Sequence, residues 1–176
     1  MKIAIIGAGF AGLTTARHLR DFGHDVTVFE KVHDVGGVWS TTRLYPGVST
    51  QNGKDTYHLS DFPMPKHYPE WPSGQQVQDY LNSYADTFNL KPLIRLSTPV
   101  THAAQGADGR WSVTYQPKGR EAATDLLARQ HAARADENGV AVVVQLAHAG
   151  HDRLPLLVHR VEHFRGKLDA DARFIG

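Results

Sequence analysis

The segment Gly7-Ala8-Gly9-Phe10-Ala11-Gly12, set directly after the apolar run Ile3–Ile6, constrains this chain more than any other feature. Lys2–Ile6 reads as a short buried strand, because its apolar residues are continuous. After the glycines, Leu13, Ala16 and Leu19 recur at the spacing of one apolar helix face, and the helix is expected to end near Gly23. Val26–Phe29 reads as a second strand, closed by Glu30. In a strand–turn–helix of this kind Gly7 permits the tight turn and Gly9 lets backbone approach a diphosphate. Gly12 lets helix and strand pack closely. The free N–H groups of Phe10, Ala11 and Gly12 then face the anion. Glu30 lies 18 residues beyond Gly12, where a carboxylate can accept hydrogen bonds from ribose hydroxyls and disfavours a 2′-phosphate. This order implies dinucleotide binding at a site that is not an NADP site. The plain alternative is a βαβ core whose glycines serve only as turn residues.

Bulk properties narrow the function classes. Lysine plus arginine number 19 against 18 aspartate plus glutamate, so no strong field attracts nucleic acid or an anionic membrane. Cysteine is absent, which removes disulfides, thiolate metal sites and thiol nucleophiles together. No apolar stretch approaches the roughly 20 residues that span a bilayer, and Ile3–Ile6 is too short for a leader peptide. The expectation is a soluble, cytoplasmic protein without nucleic-acid or membrane partners.

Beyond Glu30 the residues are more particular. Glu30-Lys31 and Gly36-Gly37-Val38-Trp39 are followed by Tyr45-Pro46-Gly47, Tyr57, Ser60-Asp61-Phe62-Pro63-Met64-Pro65 and Tyr68-Pro69-Glu70-Trp71-Pro72-Ser73. This series resembles the flavin-containing monooxygenase superfamily, Baeyer–Villiger-type relatives included, over about the first 100 residues. The resemblance implies FAD as cofactor, NADPH as co-substrate and O₂ as oxidant. Such enzymes oxygenate a nucleophilic nitrogen or sulfur of a small molecule, or insert oxygen beside a ketone. It further implies that Gly7, Gly9, Phe10, Ala11, Gly12, Glu30 and Lys31 hold the ADP half of FAD, and that Gly37, Val38 and Trp39 pass along the cofactor. Gln51 falls where relatives carry an asparagine near the flavin, with Asn52 beside it. Val100 matches a residue after the strand near Leu96 whose backbone often contacts adenine.

The spacing predicts a helix over 73–88 capped by Ser73, with Val77, Leu81, Tyr84, Ala85 and Phe88 on one face. Thr98–Ala104 and Trp111–Gln116 alternate as a hairpin. Glu121–Asn138 reads as an alanine-rich helix and Val140–Leu146 as a parallel strand. Ala170 stands where the family fingerprint has a histidine, after Phe164 and Gly166, and no second glycine-rich strand–helix unit follows. The pairs His148/His151 and His159/His163 lack a third ligand at a recognisable spacing, so no metal site is expected. No catalytic side chain is assigned.

The expected fold is α/β, a Rossmann-like FAD-binding domain with a parallel sheet, incomplete relative to the family's two-dinucleotide architecture. Residues 1–176 are read as one domain: βαβ core 2–30, ordered loop 40–72, helix 73–88, hairpin 98–116 and degenerate C-terminal part 120–176. The expected function is an FAD-dependent monooxygenase using NADPH and O₂ on a small organic molecule. Its alternative is a non-catalytic FAD-binding or interaction domain. A homo-oligomer or a complementing chain is the expected route to a missing nicotinamide site.

Overall fold

The structure, a computed structural model, describes residues 2–107, 110–129 and 143–145. Strand β1 (Lys2–Ile6) leads through the glycine turn into helix α1 (Phe10–Asp21), and β2 (Asp25–Phe29) returns parallel to β1. Ile3, Ala4 and Ile5 of β1 are all buried, as a parallel strand covered on both faces requires. Helix α2 (Gly74–Thr87) begins at Ser73, whose hydroxyl accepts from the Gln76 N–H while the Gln76 side chain accepts from the Ser73 N–H. Val77, Leu81, Tyr84 and Ala85 form its buried face, packed with Leu13 and Ala16 of α1 in one core. The chain then makes a two-residue strand β3 (Ile94–Arg95) beside β2, where the family resemblance has a strand near Leu96.

Two sheets result. The parallel sheet has the order β3-β2-β1-β7, with β7 (Val143–Gln145) beside β1 inside the expected span Val140–Leu146. This is an α/β fold of partial Rossmann type. The second sheet is antiparallel, in the order β4-β5-β6: β4 (Val100–Gln105), β5 (Arg110–Tyr115) and β6 (Ala123–Arg129). The first two strands are the expected hairpin. The third corrects the expected helix over Glu121–Asn138, because Ala123–Arg129 pairs along the whole of β5. Even for good helix formers such as alanine and leucine, intrinsic propensity is small beside tertiary pairing, and the open edge of β5 offers a complete ladder of backbone partners. Thr114 and Thr124 share a hydroxyl hydrogen bond across that edge at 3.0 Å. The remainder of that expected helix, the histidine pairs and the Phe164–Ala170 fingerprint lie outside the described residues.

No helix among the described residues is long and apolar enough to cross a membrane.

Candidate functional site

The two glycine segments interlock at the C-terminal edge of the parallel sheet. Gly36 N–H donates to the Ala8 carbonyl at 2.9 Å, which lays the Gly36-Gly37 turn against the turn after β1. Gly37 has φ +62, and a Cβ there would meet Gly9 Cα at 3.0 Å, so the two backbones touch without room for side chains. Gly12 is tighter: a Cβ would lie 1.9 Å from the Gly7 carbonyl oxygen. The glycine at the third position therefore serves the close packing expected of it. Gly9, expected to admit a ligand, also admits Gly37.

Helix α1 starts here with no side-chain cap and no acidic residue in its first turn. The first N–H groups of a helix have no intrahelical acceptor, and the helix dipole adds partial positive charge. The edge at Phe10, Ala11 and Gly12 is thus suited to an anion.

Glu30 is 5% exposed, and its carboxylate is held by two backbone donors. Oε2 accepts from Ala8 N–H at 2.7 Å and Oε1 from Val32 N–H at 3.0 Å. It therefore ties the glycine turn to the loop after β2. Each carboxylate oxygen retains a further acceptor position.

The long loop reaches the same place through aromatic contacts. Trp39, 8% exposed, donates from Nε1 to the Tyr57 hydroxyl at 3.1 Å, and the rings meet edge-on at 5.9 Å. Tyr57 meets Phe10 edge-on at 5.5 Å. Burial raises the Tyr57 phenol above its usual pKa, against the opposing effect of the Trp39 hydrogen bond, so the phenol stays neutral. Tyr80 of α2 accepts from Leu59 N–H at 2.8 Å and donates to the Phe62 carbonyl. Burial pushes its pKa up to about 12. Arg17 of α1 pairs with Asp61 and stacks on Phe88, which fastens the Ser60–Pro63 turn to both helices.

The sequence-derived residues separate into two groups. Gly7, Gly9, Phe10, Ala11, Gly12, Glu30, Gly37 and Trp39 come together along this edge. Lys31 and Val38 lie exposed beside it, and Val100 opens β4 with its side chain half buried against the second sheet's core. Gln51 and Asn52 are exposed on the long loop and make no hydrogen bond among the described residues. Next to them Gly53, Lys54 and Glu70 border an open depression of about 440 Å³. Lys54 Nζ there donates to the Lys66 and Tyr68 carbonyls, so this cation is used in closing the loop.

Sequence reasoning missed Asp34, which accepts from the hydroxyls of Ser40 and Thr41 at 2.5 and 2.6 Å and fixes the segment carrying Trp39. No periodicity marks such a residue. It also missed a cleft of about 400 Å³ beyond Glu30, bordered by Lys31, Ser97, Pro99, Gln116 and Lys118. Among the described residues no cluster of three metal-ligating side chains occurs.

The sequence matches the flavin-binding monooxygenase-like family model over residues 1–167. It is 33% identical over 132 residues to flavin-containing monooxygenase 1 of Canis lupus familiaris and, at the same identity and length, to flavin-containing monooxygenase 2 of Homo sapiens. Each match covers 68% of this chain and 25% of the relative, so the chain spans about a quarter of the curated relatives it matches. Among solved structures, S-allyl-L-cysteine S-oxygenase from Allium sativum superposes with a TM-score of 0.68 at 25% identity, covering 81% of this chain and 35% of that one. A steroid monooxygenase bound to NADP superposes with a TM-score of 0.60 at 32% identity, covering 65% of this chain and 23% of that one.

Proposed function

Because this chain belongs to the flavin-binding monooxygenase-like family, we propose that it binds FAD as part of an NADPH- and O₂-dependent monooxygenase acting on a small organic molecule. The observation that carries this reading is the interlocked pair of glycine turns at the uncapped start of α1, with Glu30 bridging to the loop after β2. A diphosphate fits that edge. The N–H groups of Phe10, Ala11 and Gly12 would donate to it, and no side chain at Gly9 or Gly37 would obstruct it. Glu30 would accept from the adenosine ribose hydroxyls while its two backbone bonds hold it in place. Trp39, fixed by Tyr57, would form a wall of the cofactor groove and limit water access. When bound, FAD supplies the redox and oxygen-transfer chemistry, and the protein contributes binding, orientation and exclusion of solvent. Gln51 and Asn52 are exposed, and a role near the flavin requires that further protein or ligand cover the long loop.

The family activity also needs a nicotinamide site, and the sequence contains one glycine-rich strand–helix unit. The chain spans about a quarter of the curated relatives it matches, and a second reading takes this portion as an FAD-binding or interaction domain that does not turn over by itself. One experiment separates the two: the visible absorption spectrum of purified protein with and without added FAD, followed by NADPH under anaerobic conditions. Oxidised-flavin bands that bleach support the monooxygenase reading. Bands that persist leave a cofactor-binding domain that requires a complementing chain. No bound flavin removes the monooxygenase reading and leaves an interaction domain.

A further inference from the structure

Away from the glycine turns, the step Asn52-Gly53 carries an inference that does not depend on what the chain binds. An asparagine amide persists unless a backbone nitrogen can reach its side-chain carbonyl carbon, and the nitrogen placed to do so belongs to the next residue. Glycine in that next position leaves the approach open, because no Cβ stands beside the nitrogen. Asn52 is exposed, and its side chain makes no hydrogen bond among the described residues. The Gly53 N–H likewise has no acceptor among them, although the Gly53 carbonyl accepts from Thr56 N–H at 3.0 Å and from Tyr57 N–H at 3.1 Å.

The other described asparagines lack this combination. Asn82 lies inside α2, where the next N–H is spent on the helix ladder, and its own amide donates to the Gln78 carbonyl at 3.2 Å. Asn89 is followed by Leu90, whose N–H donates to the Ala85 carbonyl at 2.7 Å. Among the described residues Asn52 alone joins an unbonded amide to a following nitrogen without an acceptor. The backbone on either side of it is held. Thr50 N–H donates to the Pro72 carbonyl at 3.0 Å and Lys54 N–H to the Glu70 carbonyl at 2.7 Å. The Asn52-Gly53 step is thus set between two anchors on one neighbouring segment.

We propose that Asn52-Gly53 is a site of spontaneous covalent modification, a deamidation through a cyclic imide that loosens the long loop. The Gly53 nitrogen attacks Asn52 Cγ: a C–N bond forms, the Cγ–Nδ2 bond breaks, and ammonia leaves with the Gly53 proton. Water then adds to the imide. Opening at one carbonyl returns the ordinary backbone with an aspartate, and opening at the other routes the main chain through the side chain as isoaspartate. No oxidant or reductant takes part. Either product adds a carboxylate one residue from Gly53, where a Cβ would lie 3.9 Å from Glu70 Oε1, so like charges are brought together. Isoaspartate also lengthens the main chain by one carbon between the two anchors, which strains the bonds to Pro72 and Glu70.

The test is timed incubation of the purified full chain in warm, mildly alkaline buffer, beside a mildly acidic sample and a urea-unfolded control, with peptide mapping by mass spectrometry. Mapping by peptide is required because Asn138-Gly139 repeats the dipeptide. The folded chain is expected to convert Asn52 within about tenfold of the unfolded rate, faster in the alkaline buffer, while Asn82 and Asn89 persist. In Gly53→Ala the new Cβ meets Glu70 at 3.6 Å, an ordinary contact, so the variant should keep its circular dichroism and convert about tenfold more slowly or less. The deamidated fraction, separated by ion exchange, should be cut faster by protease within residues 40–72. A folded rate more than about tenfold below the unfolded one overturns the proposal whatever the variant does. So does conversion of Asn82 or Asn89 as fast as Asn52, or an equal rate in folded Gly53→Ala. A deamidated fraction cut no faster than the parent overturns the loosening of the loop.

Discussion

A methyl group on Gly12 would sit 1.9 Å from the Gly7 carbonyl, a backbone atom that cannot move without shifting the turn. Gly12→Ala is therefore expected to destabilise the fold by about 1–3 kcal/mol and to abolish flavin binding, read by urea unfolding and by flavin retention on gel filtration. Glu30→Gln keeps the shape but replaces one acceptor oxygen by an NH₂, which must face either Ala8 N–H or Val32 N–H. The expected loss is about 1–3 kcal/mol in stability, with weaker FAD binding by calorimetric titration. A variant as stable and as tight as the parent would show that the two backbone bonds carry little. Asp34 adds a pH dependence. Burial pushes its carboxyl up, but hydrogen bonds from the Ser40 and Thr41 hydroxyls and from Thr41 N–H outweigh this and hold its pKa below the usual range. A depressed folded pKa gives stability that is complete above the unfolded value of about 4 and is lost as pH falls through the folded one. Asp34→Asn should cost about 1 kcal/mol at pH 7 and flatten the acid limb of stability, measured by urea unfolding from neutral pH to below the carboxylate range.

Elements differ in how far their own residues determine them. The start of α2 was legible from Ser73 as an N-cap ahead of a periodic apolar face, and the structure adds the reciprocal half of the cap at Gln76. Ser73→Ala should lower thermal stability by about 0.5–2 kcal/mol, and equal melting of the two proteins would show the cap to be dispensable. The βαβ unit was legible for a similar reason, since glycines, apolar runs and Glu30 all fall within 30 residues. Strand β6 was not. Its alanines and leucines read as helix, and only the exposed edge of β5, supplied by the preceding hairpin, makes it extended. Strand β3 was legible only through the family resemblance near Leu96, because two residues carry no periodicity and the pairing depends on the end of β2 being free. Tyr80 closes the Leu59–Phe62 turn from the middle of α2. A tertiary hydrogen bond of that kind leaves no mark on local spacing.

At the scale of the whole molecule, the two sheets are joined by a small set of contacts whose members come from five strands. Ala4 and Phe29 of the parallel sheet are buried with Trp111, Val113 and Tyr115 of the antiparallel one. Arg95 closes the edge of this junction. Its guanidinium lies 5.3 Å from the centroids of both the Phe29 and Tyr115 rings, and it donates to the Tyr115 hydroxyl at 2.8 Å and to Asp125 at 3.2 Å. The alternation of Trp111, Val113 and Tyr115 announces a buried face, but which surface covers it is a tertiary choice that those residues do not encode. Both side chains of the Arg95–Asp125 pair are more than a third exposed, so the ion pair alone is worth little in water. Most of the effect must come from the rings and the Tyr115 hydroxyl. Arg95→Ala should then lower stability by about 1–2 kcal/mol, whereas Asp125→Asn should change it by less than about 1 kcal/mol. Because Leu96–Thr98 follows Arg95 directly and Thr98 N–H donates to the Glu30 carbonyl, loosening the junction should speed protease cleavage within residues 97–129 more than within the βαβ unit. Limited proteolysis with mass analysis of the fragments reads this directly. Uniform acceleration across both sheets would mean that they unfold as one unit and that Arg95 stabilises the whole molecule and not the junction alone.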